Sequence, residues 1–312
     1  MRDINVQATN QITVIGKLLE SSIQEGTSSK TGKPYARANV TIRVEQSYDG
    51  NNEISEIEIP FFANKYTNSG KTNPAYETVQ MIKEMKSAQS VGVDNADIIR
   101  IAGKSGGTVS ENIFVNRNGI LVDTWQLRAS FCSKGSKDSD TATWLADVFI
   151  MDMREEYDRE EQPTGRLLVK GGIVQYGGKL DIINFIVEDP SKVDYFTRNY
   201  NVNDTVQVWG RIRMTSKEVT TVTKETNGWG EDLKDHSSTR KVRELIMTGG
   251  EPFAYDDDMA YDPTEIKKAF NVRKARVEQT QMDAANKQQQ KKAAPTVQNT
   301  TRSDENPYAW EE

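Results

Sequence analysis

The chain has 312 residues, 36% of them apolar and 28% charged, and its 40 basic and 46 acidic residues leave a net charge of −6. That length suits about two domains of ~150 residues, and the low apolar fraction leaves part of the chain outside any core. Apolar runs of ~18 residues are absent, which excludes a helical membrane span, and the opening MRDINVQATN lacks an apolar stretch of signal-peptide type.

One cysteine, Cys132, and one histidine, His236, are too few for an internal disulfide or a His/Cys zinc cluster. A reducing, cytoplasmic compartment is expected, and no catalysis, cofactor or metal site. His236 lies in the polar stretch EDLKDHSSTRK and reads as a solvated loop residue. The string GKS at 103–105 lacks the earlier glycine of a phosphate loop, since Ile98 stands there. The triplet Asp256, Asp257 and Asp258 lacks calcium-loop spacing and reads as a solvated linker.

In chain order, VIGKLLESS (14–22) is a first strand, with Gly16 at a bend of the kind tight barrels need. KPYARANVTIRVE (33–45) alternates: Ala36, Ala38, Val40, Ile42 and Val44 on one face, Tyr35, Arg37, Asn39, Thr41 and Arg43 on the other. ISEIEIPFFANKY (54–66) sends Ile57, Ile59 and Phe61 inward. A helix follows, capped by Asn73 with Pro74 at its first position and Tyr76, Val79 and Ile82 along one flank. Strands at 97–107 and 119–131 complete the set.

After SKGSKDSDTA (133–142), which reads as a linker, the order repeats. TWLADVFIMDMREE (143–156) is a strand that could also extend the first unit, and 165–189 is a hairpin turning at Gly177-Gly178. Asp189-Pro190 opens a helix with Val193, Phe196 and Tyr200 on one side, and strands at 204–214 and 240–250 close the set. Five strands with a helix between the third and fourth is the plan of the OB-fold, a small Greek-key barrel. The expected fold is therefore all-β with minor α: a first OB-fold at 1–132, a linker at 133–142, a second OB-fold at 143–251, an acidic linker and basic helix at 252–292, and a tail at 293–312.

The first repeat resembles the single-stranded DNA-binding proteins of bacteria and phages. Ile15, Gly16, Lys17 and Leu18 match that family's first strand, and ARANVTIRVE, EIEIPFFANKY and IRIAGKS resemble its next three; the second repeat matches through VQVWGRIR at 206–213. The resemblance implies a non-catalytic protein that coats single-stranded DNA in replication, recombination or repair, carried by a phage or mobile element in a bacterial cytoplasm. Members usually carry one barrel per chain and assemble as oligomers, so two barrels here suggest a monomer or dimer. The alternative from another class is a protein-interaction or structural module built on the same barrels.

Unpaired nucleic acid calls for exposed aromatics to stack on bases and Lys or Arg for phosphates. Tyr35, Arg37 and Arg43 have that composition on one strand face. Val206, Val208, Ile212 and Met214 point inward on theirs, so Trp209, Arg211 and Arg213 are expected outward together. Trp229 lies on the loop before the last strand, Phe62, Lys65 and Tyr66 follow the third strand, and Arg100 and Lys104 lie on the fourth. Each has a plainer reading: Arg37 and Arg43 as a solvated face, Phe62 as core, Trp229 as an anchor of its own loop. Trp125, alternating with Leu127 and Ala129, reads as core.

Charge opposes this reading. Residues 251–312 hold 9 basic and 12 acidic residues, leaving the body at −3, so net charge gives no long-range steering toward DNA. Phosphate contacts act within ~10 Å at ~0.1 M salt, so local basic stripes suffice, with modest affinity and a shallow salt dependence.

Residues 264–292 read as a helix with a thin apolar stripe, Ile266, Phe270 and Val277, solvated or docking on a partner. The chain ends SDENPYAWEE. In the resembled family a flexible acidic tip recruits replication and repair enzymes, which would give Asp304, Glu305, Pro307, Tyr308 and Trp310 that role. The familiar tip closes on phenylalanine, whereas this one ends Trp310-Glu311-Glu312. A solubilising acidic tail is the plainer reading.

Overall fold

The pleat of ARANVTIRV sets the first half of the fold: Ala36, Ala38, Val40, Ile42 and Val44 are all essentially inaccessible. The computed structural model describes residues 1–293 apart from 49, 104–105, 137–138, 159 and 228–229, with side chains described except at 217–240 and 287–293. The first unit comprises β1 (Asn10–Thr27), β2 (Pro34–Tyr48), β3 (Asn51–Asn64), α1 (Pro74–Glu84), α2 (Ala88–Val91), β4 (Ile98–Ile101), β5 (Gly107–Val115) and β6 (Leu121–Ala129). After β7 (Ser133–Lys134) come β8 (Thr141–Tyr157), β9 (Pro163–Val174), β10 (Leu180–Val187), α3 (Pro190–Asn199), β11 (Thr205–Asn227), β12 (Gly230–Gly250) and α4 (Pro263–Ala293).

The second unit closes on itself. Antiparallel pairing joins β8 to β9, β9 to β10, β12 to β11 and β11 back to β8, and a parallel bridge at Ile186 and Ile246 joins β10 to β12. That ring is a five-stranded barrel of OB-like order. Inside it Trp144 packs on Phe185 at 4.8 Å between ring centroids, and its indole N–H donates to the Arg211 carbonyl at 3.1 Å. In the first unit β1, β2 and β3 form a meander, β3 meets β6 at Phe61 and Ala129, and β6 pairs with β5. The edge of β1 is taken by β4, which also pairs with β7. The strand expected at 97–107 is thus β4 alone, and β5 is a separate strand absent from the sequence reading. Its buried polar residues Ser110 and Glu111 conceal the alternation that marks a strand.

Both helices start as their sequences predict: Asn73 and Asp189 accept the N–H of Ala75 and Ser191, with proline next in each. Gly16 is required because a Cβ there would lie 2.3 Å from the Arg43 carbonyl oxygen. At the bulge after Trp209, a Cβ on Gly210 would meet the Ile246 carbonyl at 1.7 Å. Residues 215–227 and 230–239, expected as a loop, are paired as the arms of the β11–β12 hairpin. His236 therefore lies on a strand opposite Thr221.

β8 belongs to both units. Asn10–Ile15 of β1 pair with its first residues along one edge, followed on the same edge by β9, while β11 occupies the other edge. A buried Asp147 on β8 ties the chain ends to this junction: it accepts from Arg2, the Thr9 N–H and Gln207, each at 2.9 Å, and from Tyr255 at 3.0 Å. α4 docks with Ile266 buried, and Arg273 and Arg276 reach Glu111 of β5. The helix expected to be solvated or to seek a partner thus packs against β5 of its own chain.

A second fastening uses ions. Glu53 of β3 pairs with Arg211 at 2.9 Å and Arg213 at 3.0 Å, both on β11. Glu188, just after β10, pairs with the same two arginines, and Glu244 of β12 with Arg213 and Arg166. Tyr48 covers the Arg211 guanidinium at 4.1 Å. The expectation that Arg211 and Arg213 face solvent with Trp209 is therefore corrected: Arg211 is 6% exposed, and both guanidiniums serve carboxylates contributed by the two units.

Burial pushes the Glu188 carboxyl up, but hydrogen bonding from Arg211 and the charges of both arginines outweigh it and hold it below the usual value of 4.5. Glu244 is lowered likewise, with Arg166 and Arg213 overcoming its burial. Depressed carboxyls add stability that is fully present above their unfolded pKa and lost as pH falls through the folded one. Chemical denaturation should thus show stability constant near neutrality and declining once pH drops below about 4.5. Glu53→Ala, which leaves a buried guanidinium short of a carboxylate, should lower stability by about 2 kcal/mol. An unchanged urea midpoint would show that the cluster contributes nothing.

Candidate nucleic-acid interface

On the outer face of β2 and β3, side chains opposite the buried set share a surface. Arg37 stands across from Phe62 in the register, with Tyr35 two pairs further on and on the same face. The Tyr35 and Phe62 rings lie 5.7 Å apart at 31°. Phe62 is 60% exposed, which decides its reading against core. Beyond β3 the Lys65 ammonium sits 5.7 Å from the Tyr66 ring, and that ring is itself exposed. Lys33, on the β1–β2 turn, donates to Asn68 at 3.5 Å and so joins the same corner. Arg37 is exposed and its guanidinium donates to Gln24.

Two residues further along each strand this face becomes the floor of an open groove of about 1000 Å³. Asn39, Thr41 and Pro60 line the floor, and Asn112 of β5, Gln126 of β6 and Arg243 of β12 line the walls. From Tyr35 to Thr41 the path spans about 20 Å at ~3.3 Å per residue. At the tip of the β5–β6 hairpin Phe114 and Arg117 are exposed. Sequence reading missed both because β5 was not recognised as a strand.

The other expected residues do not join this face. Arg43 is partly buried and pairs with Glu45 at 2.7 Å. Arg100 is exposed on β4, between β1 and β7. Trp209 is 39% exposed and lies against Gly249 of β12, separated from the arginines expected beside it by their ion pairs. Trp125 is core, at 7% exposure. Lys104, Trp229 and the tail residues Asp304, Glu305, Pro307, Tyr308 and Trp310 lie outside the described residues.

Among the described residues no group of three or more His, Cys, Asp or Glu is placed to hold a metal ion. No helix among them is long and apolar enough to cross a membrane. Burial pushes the Cys132 thiol up to about 12, so it carries no thiolate for nucleophilic or redox work at neutral pH.

Fold and site together define an OB-like β-barrel protein with an exposed aromatic and basic face on one unit. The chain belongs to the YorF family, whose model matches residues 8–283. Curated proteins gave no match. Among solved structures, the wild-type single-stranded DNA binding protein from Thermus aquaticus is similar with a TM-score of 0.49 and 9% identity, over 82% of this chain and 98% of that one. A replication protein A heterotrimer bound to ssDNA gives a TM-score of 0.22 and 9% identity, over 87% of this chain and 70% of that one. At these scores neither structure stands in for this one.

Phe62 is a side chain the fold does not need. Phe62→Ala should change stability by about 1 kcal/mol or less, whereas Trp125→Ala should cost about 3–5 kcal/mol. Thermal denaturation of the two variants checks this, and a large loss for Phe62→Ala would place that ring in the core after all.

Proposed function

We propose that the chain binds single-stranded DNA along the outer face of β2 and β3. The observation that carries this reading is the Tyr35–Phe62 ring pair, with Phe62 exposed and Tyr35 half-buried, flanked by Arg37 and Lys65. Accessible ring faces are surfaces on which bases stack, a term that salt does not screen. Strands two and three with their adjoining loops are also the surface on which OB-folds take oligonucleotides. Both units are read as OB-type barrels, the first with its fourth strand divided into β4 and β5. The protein coats single-stranded DNA in replication, recombination or repair, as a monomer or dimer in the cytoplasm of a phage-bearing bacterium. The acidic tip with Asp304, Glu305, Pro307, Tyr308 and Trp310 recruits partner proteins.

A second reading, a protein-binding module, draws support from Glu20 and Glu58 in the groove and from the net charge of −6. Anisotropy of a labelled oligo-dT separates the two. The expected result is binding in low salt with a shallow slope, no steeper than about −3 in log K against log salt. Tyr35→Ala and Phe62→Ala should each weaken it roughly tenfold, as loss of one stacked base implies. No binding by the unaltered chain even in low salt would discard the DNA reading in favour of the protein-binding one.

A further inference from the structure

Among the described residues, four buried side-chain atoms find no hydrogen-bond partner: Arg166 Nε, Asp181 Oδ1, Thr215 Oγ1 and Arg243 Nε. Two of these have ionic company, Arg166 Nε at 3.2 Å from Glu156 and Asp181 Oδ1 at 2.6 Å from Lys179. The other two, Thr215 and Arg243, line one small cleft together with Glu56, Glu58 and Lys241. Polar groups deprived of both water and a partner cost free energy, most of all when charged.

Arg243 lies on β12 opposite Met214 of β11, so it is a residue of the second unit. Its guanidinium stands 5.1 Å above the Trp125 ring of the first unit and forms part of the wall of the large groove. Among the residues lining that groove it is the cation, facing the floor of Asn39, Thr41 and Pro60. The neighbouring Lys241 is already paired with Glu58, which leaves Arg243 without a carboxylate of its own among the described residues. Burial disfavours its charged form, and the charge of Glu58, which lines the same groove, acts in the opposite direction.

We propose that Arg243 is a phosphate-binding residue, carried by the second unit into the groove of the first. The groove is then incomplete without the β11–β12 hairpin: rings on β2 and β3 hold bases at one end, and Arg243 holds the backbone at the other. This assignment rests on the reading of the β2–β3 face as a single-stranded DNA interface. A phosphate oxygen supplies both the acceptor and the charge that Arg243 lacks, and the adjacent Thr215 hydroxyl is a second donor to the same cleft.

The test is oligo-dT binding by the full-length protein and by Arg243→Met and Arg243→Gln over a range of salt. Losing one phosphate contact on a single strand should reduce the magnitude of the log–log salt slope by about 0.7, with affinity down roughly tenfold or more in low salt. Melting temperature should hold or rise in Arg243→Met, because an apolar side chain replaces a half-buried guanidinium whose Nε has no partner. Should that variant fail to fold, Arg243→Gln retains a polar side chain in the cleft and should show the same slope change. Parental affinity and slope in a folded variant would overturn the assignment, and so would an affinity loss without a slope change, which would put Arg243 on a base edge. Absence of binding by the unaltered protein would overturn the interface itself.

Discussion

Strand β8 is hydrogen-bonded along both edges, and the rest of the molecule depends on that arrangement. Its first residues carry β1 of the first unit on one side and β11 of the second on the other. A connection of this kind is not a flexible linker between two beads. It fixes the angle between the units through backbone pairing, and two ionic fastenings reinforce it. Asp147 gathers Arg2, Gln207 and Tyr255 at the centre, while Glu53, Glu188 and Glu244 engage Arg211 and Arg213 at the flank. Groups this buried repay their desolvation only when every partner is present, so the cluster specifies one relative placement.

That placement determines what the surface can do. The β11–β12 hairpin extends from the barrel of the second unit and passes beside β3, where the Met214 N–H donates to Ser55 at 3.3 Å and Lys241 meets Glu58. A groove on the first unit thereby acquires a wall from the second. The acidic balance of the whole chain is compatible with this, since many arginines are spent on internal carboxylates and those that matter to a ligand act at short range. On the proposed reading, base stacking on Tyr35 and Phe62 would be insensitive to net charge, so an acidic chain is compatible with such a face.

Much of the fold was legible where local chemistry determines structure. Alternation gave β2 and β3, and the Asn-Pro and Asp-Pro pairs gave α1 and α3 with their caps. Elements stabilised by distant partners were hidden. Glu111 makes β5 look like a loop, and its burial is explained by distant partners, the Ile182 N–H and, more than 160 residues away, Arg273 and Arg276. The arms at 215–239 carry Thr, Lys and Glu in a run that resembles a polar loop, and their pairing with each other has no apolar signature. The site divided the same way. Tyr35, Arg37 and Phe62 share a face because a strand alternates, which sequence shows directly. Arg211 and Arg213 alternate equally well, yet their outward face is covered by Glu53 and Tyr48, residues no local pattern could bring there. Arg243 gave no signal, since its significance comes from the Trp125 ring beneath it and the groove beside it.

The central claim is that a single strand lies along β2 and β3 and is met at the far end of the groove by the second unit. Ultraviolet cross-linking of the full-length protein to single-stranded DNA, with the modified peptides located by mass spectrometry, tests it most directly. The account predicts adducts on the peptides carrying Tyr35 and Phe62, with further adducts near Trp125 and Arg243. Cross-links confined to the surface around Trp209, or to the far side of the second unit, would contradict it.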